Sequence, residues 1–147
     1  MDKSIIGKFM IETYRGTVLP VEIDQLGHMN VAYYLTKFSD SCWHLLSQAG
    51  VTTKYIRHDK KAMVSVENII KYKLEALNGD LITIKSYFME VKDKVIRTMH
   101  VMYNSETKIE LANCEIIQVF MDLELRKSCL IPENIKQGCI KLLEIDI

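Results

Sequence analysis

The sequence predicts an α+β protein in which a curved antiparallel β-sheet wraps one long central helix. Three observations carry this. From Val31 onward, apolar residues fall at Val31, Tyr34, Leu35, Phe38, Cys42, Leu45, Leu46 and Ala49, the i, i+3, i+4, i+7 spacing of a single buried helical stripe. Beyond residue 61 the spacing changes to strand-like alternation. The strand-like runs are joined by short turns with no helical pattern between them, which argues for antiparallel pairing instead of the alternating strands and helices of a parallel sheet.

Residues 9–18 mix apolar, Thr and Tyr residues and read as a first strand, continued through Leu19 and Pro20 to a strand end at Ile23. Asp24 begins a short polar turn that Gly27 can complete, because glycine tolerates backbone angles other residues avoid. Asn30 stands where a helix N-cap belongs, and Gly50 is the stop. So bracketed, the helix covers residues 31–49, about 28 Å at about 1.5 Å per residue. A helix of that length is an element that a sheet must cover. Residues 51–61 carry mixed charge and read as a connecting loop with room for a short helical turn.

From residue 62 to 77 one face presents Val64, Val66, Asn68, Ile70, Tyr72 and Leu74, and the other Ser65, Glu67, Lys71 and Lys73. This is the pattern of a long, half-buried strand. Asn78-Gly79-Asp80 is a hairpin signal, with 81–91 as the returning strand. Lys92-Asp93-Lys94 turns the chain into a strand over 95–103, and 104–108 turns it into a last long strand over 109–123. The four strands read as a meander. Residues 132–143 read as a short surface helix begun after Pro132, and the whole of 1–147 as one domain.

Composition narrows the function. At 147 residues and 48% hydrophobic content the chain can bury a core. Nineteen basic and nineteen acidic residues cancel, so nothing points to nucleic acid or to an anionic membrane. No long apolar run and no signal-peptide core occur, and the expectation is a soluble cytoplasmic protein. Cys42, Cys114, Cys129 and Cys139 form no Cys-x-x-Cys pair, so reduced and mostly buried thiols are expected. Histidines at 28, 44, 58 and 100 show no zinc spacing, and no metal is expected. The chain lacks a Gly-x-Ser-x-Gly elbow, a Gly-x-Gly-x-x-Gly and a P-loop.

The stretch from Asp24 to Asn30 carries the chemistry. A helix start leaves its first N–H groups without partners and partly positive, so it can receive a carbonyl oxygen that is becoming an oxyanion. The amides near Val31 are the candidate donors. Asp24, on the same turn, could act on that carbonyl carbon as nucleophile or as the base that activates a water. The helix dipole alone contributes about 0.3–1 kcal/mol, whereas one well-aimed oxyanion donor is worth about 2.7–4 kcal/mol in the transition state. Aim therefore matters more than the dipole. Spacing alone leaves open the plainer reading, in which Asp, Gly and Asn are ordinary turn and cap residues.

The run Asp24-x-x-Gly27-His28-Met29-Asn30-x-x-x-Tyr34, followed by the helix, resembles the signature of the hotdog-fold 4-hydroxybenzoyl-CoA thioesterase family. The resemblance implies that Asp24 is catalytic and that the Val31 N–H polarises the thioester carbonyl of an acyl-CoA. Further segments resemble the branch that includes betainyl-CoA thioesterase: Val66-Glu67 with Lys71-Tyr72, Asp93-Lys94, His100 with Met102, and Asp122-Leu123-Glu124-x-Arg126-Lys127-Ser128. Together they span about residues 18 to 135. The likeness implies a hotdog fold and a homodimer or homotetramer, since hotdog proteins pair their sheets edge to edge and place each site between subunits. It also implies no cofactor beyond the coenzyme A of the substrate. The betainyl branch suggests a short cationic acyl group, with aromatic and fatty acyl groups left open.

Other residues join the candidate site. Gly27 and Met29 lie within the motif and count with the substrate-binding positions. His28 could orient Asp24, touch the acyl group, or be a turn histidine bonded to backbone. Tyr33, Tyr34 and Trp43 could build an aromatic wall, or a cage for a quaternary ammonium, although core packing suits Trp43 better. Asn68 interrupts an apolar face and needs partners, so it could line a neighbouring protomer's site or be satisfied structurally. Glu67, on the opposite face, enters through the betainyl likeness, against the reading of a solvated or interface carboxylate. Arg97, Arg126 and Lys127 could hold coenzyme A phosphates or simply solvate the surface. Two rival functions remain: an acyl-thioester hydratase or dehydratase using His28 and Asp40, and a non-catalytic acyl-CoA-binding module.

Overall fold

Asn30 starts the central helix α1 (Val31–Gln48): its backbone is extended and its side-chain oxygen accepts the Ala32 N–H at 3.0 Å. The computed structural model describes residues 10–144. It places β1 (Ile11–Thr17) before α1, and α2 (Thr53–Asp59), β2 (Lys61–Tyr72), β3 (Leu81–Val91), β4 (Val95–Asn104), β5 (Glu110–Asp122), β6 (Lys127–Ser128) and α3 (Glu133–Glu144) after it. Phe9, the first residue of the expected first strand, lies outside the described residues. Gly50, at φ +108°, ends α1 in a conformation that favours glycine.

The strands form one antiparallel sheet in the order β1-β3-β4-β5-β2, with β6 paired to β5. The meander holds for β3, β4 and β5. The expected hairpin of residues 62–77 with 81–91 does not form, because β2 crosses to the far edge on β5 while β3 lies between β1 and β4. Asn78-Gly79-Asp80 still turns, with Gly79 at φ +85°. Its backbone partner is Val18, whose O accepts from Gly79 N–H and whose N–H donates to Asp80 O, both at 2.9 Å. A turn signal specifies local angles and leaves the strand's partner undetermined.

The expected half-buried strand is also corrected. β2 stops at Tyr72, and residues 65–69 are exposed. A bulge between Ser65 and Glu67 shifts the register and leaves Val66 62% exposed. The Lys73 and Leu74 N–H groups still donate to Leu111 O, and residues 75–77 then leave for the turn before α1, where Ala76 O accepts the Met29 N–H at 2.8 Å. Pro20–Glu22, expected at a strand end, forms a 3₁₀ turn instead. Proline lacks the N–H a ladder needs and presets the φ of a turn.

Helix α1 lies over β1, β3 and β4. Tyr34, Phe38, Cys42, Leu45 and Leu46 join Ile82, Ile84, Phe88, Ile96 and Met102 in the core, and a side chain of this kind contributes about 1.5–3 kcal/mol when fully buried. Two members of the expected stripe differ: Val31 and Leu35 are 58% and 39% exposed. Lys37 and Ser41 are buried in that helix instead, because each finds a buried polar partner. Trp43, expected in the core, is 48% exposed. Nor is α3 a surface helix, since Ile135 and Cys139 belong to the core. Gly138 permits its approach: a Cβ there would stand 2.1 Å from Ala49 O. All four cysteines are free, and burial pushes the Cys42, Cys114 and Cys139 thiols up to about 12, which suits packing and not nucleophilic chemistry. Among the described residues no helix is long and apolar enough to cross a membrane.

Candidate active site

The turn that precedes α1 is closed by its own backbone. Asp24 N–H donates to His28 O and Gly27 N–H to Asp24 O, each at 3.1 Å, while Ile23 and Met29 form an isolated bridge. Gly27 takes φ +86° to allow this. The Asp24 carboxylate faces donors on both oxygens: Oδ1 accepts the Leu26 N–H and Oδ2 accepts Asn30 Nδ2, each at 2.9 Å. The Leu26 amide first, then Asn30, with a smaller contribution from His28, hold this carboxyl below its usual range. Asp24 is therefore ionised at neutral pH.

Asn30 has two tasks. Its oxygen caps α1 through Ala32 N–H while its amide nitrogen holds Asp24. The Val31 N–H, the first of the helix, has no acceptor among the described residues. One side chain thus joins an ionised carboxylate to a helix end whose first amide is uncommitted.

Behind the turn lies a buried ion pair that periodicity does not reveal, since its members are fifteen residues apart and one lies in a loop. Lys37 Nζ donates to Glu22 Oε2 at 2.8 Å, with the two side chains 7% and 8% exposed. Glu22 Oε1 accepts the Leu19 N–H at 2.8 Å, and Glu22 O accepts the Asn30 N–H at 2.9 Å. Lys37 also stands 5.8 Å from the centre of the Tyr14 ring. The pair pins the start of the turn to the second turn of α1.

A cavity of about 320 Å³ opens at the helix start. His28, Met29, Val31 and Tyr34 line one wall and the segment from Tyr72 to Glu75 the other. His28 Nδ1 lies 3.2 Å from Met29 O, so the ring is bonded to backbone. Tyr34 packs edge-on against Tyr72, with centroids 5.0 Å apart. Burial pushes the Tyr34 phenol up, partly offset by the Ala76 backbone. Sequence reasoning did not place residues 72–75 in the site, because it ran them into the strand.

Other candidates lie elsewhere. Tyr33 is half-buried and packs against the core. Glu67 and Asn68 are exposed on edge strand β2 and outside this cavity, although Asn68 lines a second one beside Trp43. Asp40 faces a polar groove with Glu12, Tyr14 and His44, and the chain does not bring it to His28. Arg97 is bonded to Glu115 and Glu90. Arg126 sits at φ +56° in the turn after β5, and Lys127 is exposed in β6. Among the described residues no group of three His, Cys, Asp or Glu could hold a metal ion.

The sequence profile of the thioesterase-like superfamily matches residues 18–138. The chain belongs to that superfamily. Membership places it among thioester hydrolases and covers the whole turn-helix site. No curated protein sequence matches the chain. Among solved structures, a Staphylococcus aureus protein in complex with CoA superposes with a TM-score of 0.87 at 19% identity, covering 97% of this chain and 89% of that one. A 1,4-dihydroxy-2-naphthoyl-CoA thioesterase from Synechocystis gives 0.78 at 17%, covering 91% and 98%. A gentisyl-coenzyme A thioesterase gives 0.76 at 21%, covering 86% and 98%. These likenesses establish the hotdog fold expected from the motif.

Proposed function

We propose that this thioesterase-like protein hydrolyses acyl-CoA thioesters, with Asp24 and the Val31 N–H as its working groups. The observation that carries the reading is the pair of hydrogen bonds of Asn30, from Ala32 N–H and to Asp24, beside a first helical amide that has no acceptor among the described residues. The thioester carbonyl docks on that amide, which stabilises the oxyanion as it forms. Asp24, held ionised, attacks the carbonyl carbon or deprotonates the water that does. Either way the carbon–sulfur bond breaks and coenzyme A leaves as a thiolate that takes up a proton; on the first route a water then hydrolyses the Asp24–acyl anhydride, and on both routes the acyl group leaves as a carboxylic acid. His28 adds positive potential near Asp24 when charged, Gly27 permits the turn, and Met29 and Tyr34 form the floor and wall of the cavity. Support for coenzyme A as the leaving group comes from the staphylococcal neighbour, solved in complex with CoA, and from the neighbours named as CoA thioesterases. The substrate carries the coenzyme A, and a cytoplasmic setting suits it.

The assembly we infer is a homodimer or homotetramer. Among the described residues β2 pairs only with β5, and it exposes Val66, Ile69 and Tyr72 along an edge that a second copy would cover. In that arrangement Glu67, Asn68 and Tyr33 serve a site shared between copies, and a monomeric mass by light scattering removes this part of the reading.

Thiol release from a panel of acyl-CoAs tests the chemistry. Asp24→Asn is expected to lower kcat by about 10²–10⁴-fold with a small fall in melting temperature, since the bond from Asn30 Nδ2 is lost, and with the protein still folded. Wild-type rates in that variant overturn the assignment of Asp24, and binding of coenzyme A esters without thiol release supports a non-catalytic module instead.

A further inference from the structure

The geometry points to an uncharged, medium-chain aliphatic acyl group as the acyl part of the substrate, lodged in the seam between α1 and β2. This rests on the acyl-CoA hydrolase reading above and adds to it the class of acid released.

Two cavities lie in succession along one seam. The cavity at the helix start lies between Val31 and Tyr34 of α1 and Tyr72 at the end of β2. A second cavity, of about 480 Å³, lies farther along, between Leu35, Cys42 and Leu46 of α1 and Ala62, Met63 and Asn68 of β2. Leu35 is one helical turn beyond Val31, and Asn68 stands two positions back along the same strand face from Tyr72, past Ile70. The elements run in opposite directions, so moving down the helix means moving back along the strand. Val31, Leu35, Ser39, Cys42 and Leu46 fall at i, i+4, i+8, i+11 and i+15, one row along the helix. An acyl chain whose carbonyl sits on the Val31 amide enters the second cavity by following this row. Val31 to Leu46 spans about 22 Å at about 1.5 Å per residue, and the exposure of Val31 and Leu35, which broke the expected stripe, is what leaves the row open.

The lining chooses among acyl classes. Among the described residues, no charged residue lines the second cavity. Its polar members are neutral, and the most buried of them is already engaged: Gln118 Oε1 accepts from Cys42 Sγ at 3.3 Å and its Nε2 donates to Ser65 Oγ at 3.4 Å. A quaternary ammonium calls for a carboxylate or several aromatic faces, and Trp43 is the one aromatic residue of the second cavity's lining among the described residues. A hydroxylated ring calls for buried, uncommitted polar groups, and the cavity's other polar residues, Ser39, Ser65 and Asn68, are exposed. Leu35, Leu46, Met63 and Ile116 instead offer apolar surface with methionine's adaptability, in a volume within the range of small-ligand pockets. Among the described residues the second cavity thus offers the cationic acyl group suggested by the betainyl likeness no partner; Glu75, Tyr34 and Tyr72 line the cavity at the helix start instead.

The test measures kcat/KM for acetyl-, butyryl-, octanoyl-, benzoyl- and betainyl-CoA by thiol release. Each added methylene from butyryl to octanoyl should raise kcat/KM about fourfold, leaving benzoyl- and betainyl-CoA at least about tenfold below octanoyl-CoA. Ser39→Phe and Ser65→Phe, at exposed positions on the two walls, should each lower the octanoyl-to-acetyl ratio by at least about tenfold. The inference is overturned if octanoyl-CoA is no better than acetyl-CoA, if the benzoyl or betainyl ester is preferred, or if neither variant moves the ratio, and in each of these cases the hydrolase reading stands. No thiol release from any ester overturns the hydrolase reading, and the acyl assignment falls with it.

Discussion

Lys37 and Ser41 stand one turn apart on the same face of α1, and both are buried, yet they meet partners of different kinds. Lys37 meets a carboxylate from a loop. Ser41 meets His100, a neutral ring on β4, whose Nδ1 lies 2.9 Å from Ser41 Oγ and 2.6 Å from Ser86 Oγ and whose Nε2 lies 2.9 Å from Thr98 Oγ1. Burial holds His100 down to about 3, from an ordinary value of 6.5, so the second contact carries no charge at neutral pH. The ionic contact fixes residues 19–30, whose apolar contact with the core rests on Ile23 and Met29 while Leu19, Val21 and Leu26 are exposed, to a rigid helix. The neutral contact joins helix to sheet, two elements already held by a core. Charge is retained where a loop must be placed, and hydroxyls and a neutral ring suffice where packing already sets the geometry.

Removing one charge should give the largest effect. Lys37→Met leaves Glu22 buried with only the Leu19 amide for company, and loss of one member of a buried pair costs about 3–5 kcal/mol. The double variant Glu22→Met/Lys37→Met removes both charges and should recover most of that stability in urea unfolding, because an apolar pair of similar volume avoids the desolvation cost. Thioesterase activity should not recover with it, since Glu22 no longer holds the Leu19 amide or places the carbonyl that accepts the Asn30 N–H. A double variant both stable and fully active shows that the pair only fills space.

The neutral contact should matter less. His100→Leu removes one partner from three hydroxyls, but each keeps another: Ser41 Oγ donates to Phe38 O, Ser86 Oγ bonds Thr13 Oγ1, and Thr98 Oγ1 donates to Ile116 O. The loss should therefore stay at about 1–3 kcal/mol, with kcat unchanged. A fall in kcat comparable to that of the Glu22 variants erases the distinction between the two contacts.

This contrast also marks how far the sequence could be read. The helix, its Asn30 cap and its Gly50 stop were legible, because periodicity and capping are local, and so was the placement of Asp24 on the turn before the first helical amide. The route of β2 was not. Asn78-Gly79-Asp80 announces a turn, yet which strand lies beside which depends on contacts far apart in the chain. The bulge at Val66 was hidden for the same reason, and it inverted the expected alternation. Lys37 escaped notice because a lysine inside an apolar stripe looks like an error until its partner is known, and Glu22 offers no spacing that names it. His100 had a usable signal: Ile96, Thr98, His100 and Met102 alternate along one strand and are all fully buried. The seam between α1 and β2 exists only once both elements are placed, so no reading of either alone could find the cavities.

The smallest expected effect separates the two contacts by pH. The folded protein holds His100 below its unfolded value, so its contribution is fully present above about pH 6.5 and is lost as pH falls toward 3, as the unfolded chain takes up a proton that the folded chain refuses. The loss approaches about 1.4 kcal/mol per pH unit well below the unfolded value, or about 1 kcal/mol in total from pH 6.5 to 5.5. Carboxylates held low in the folded state, such as Asp24 and Asp122, contribute stability that is present above their ordinary value of 3.8 and lost only below it, which leaves this window to His100. The stability gap between wild type and His100→Leu should accordingly narrow by about 1 kcal/mol over that unit of pH. A gap of constant width means that the buried ring is not the group that resists protonation, and that the neutral contact under α1 is held by its hydroxyls alone.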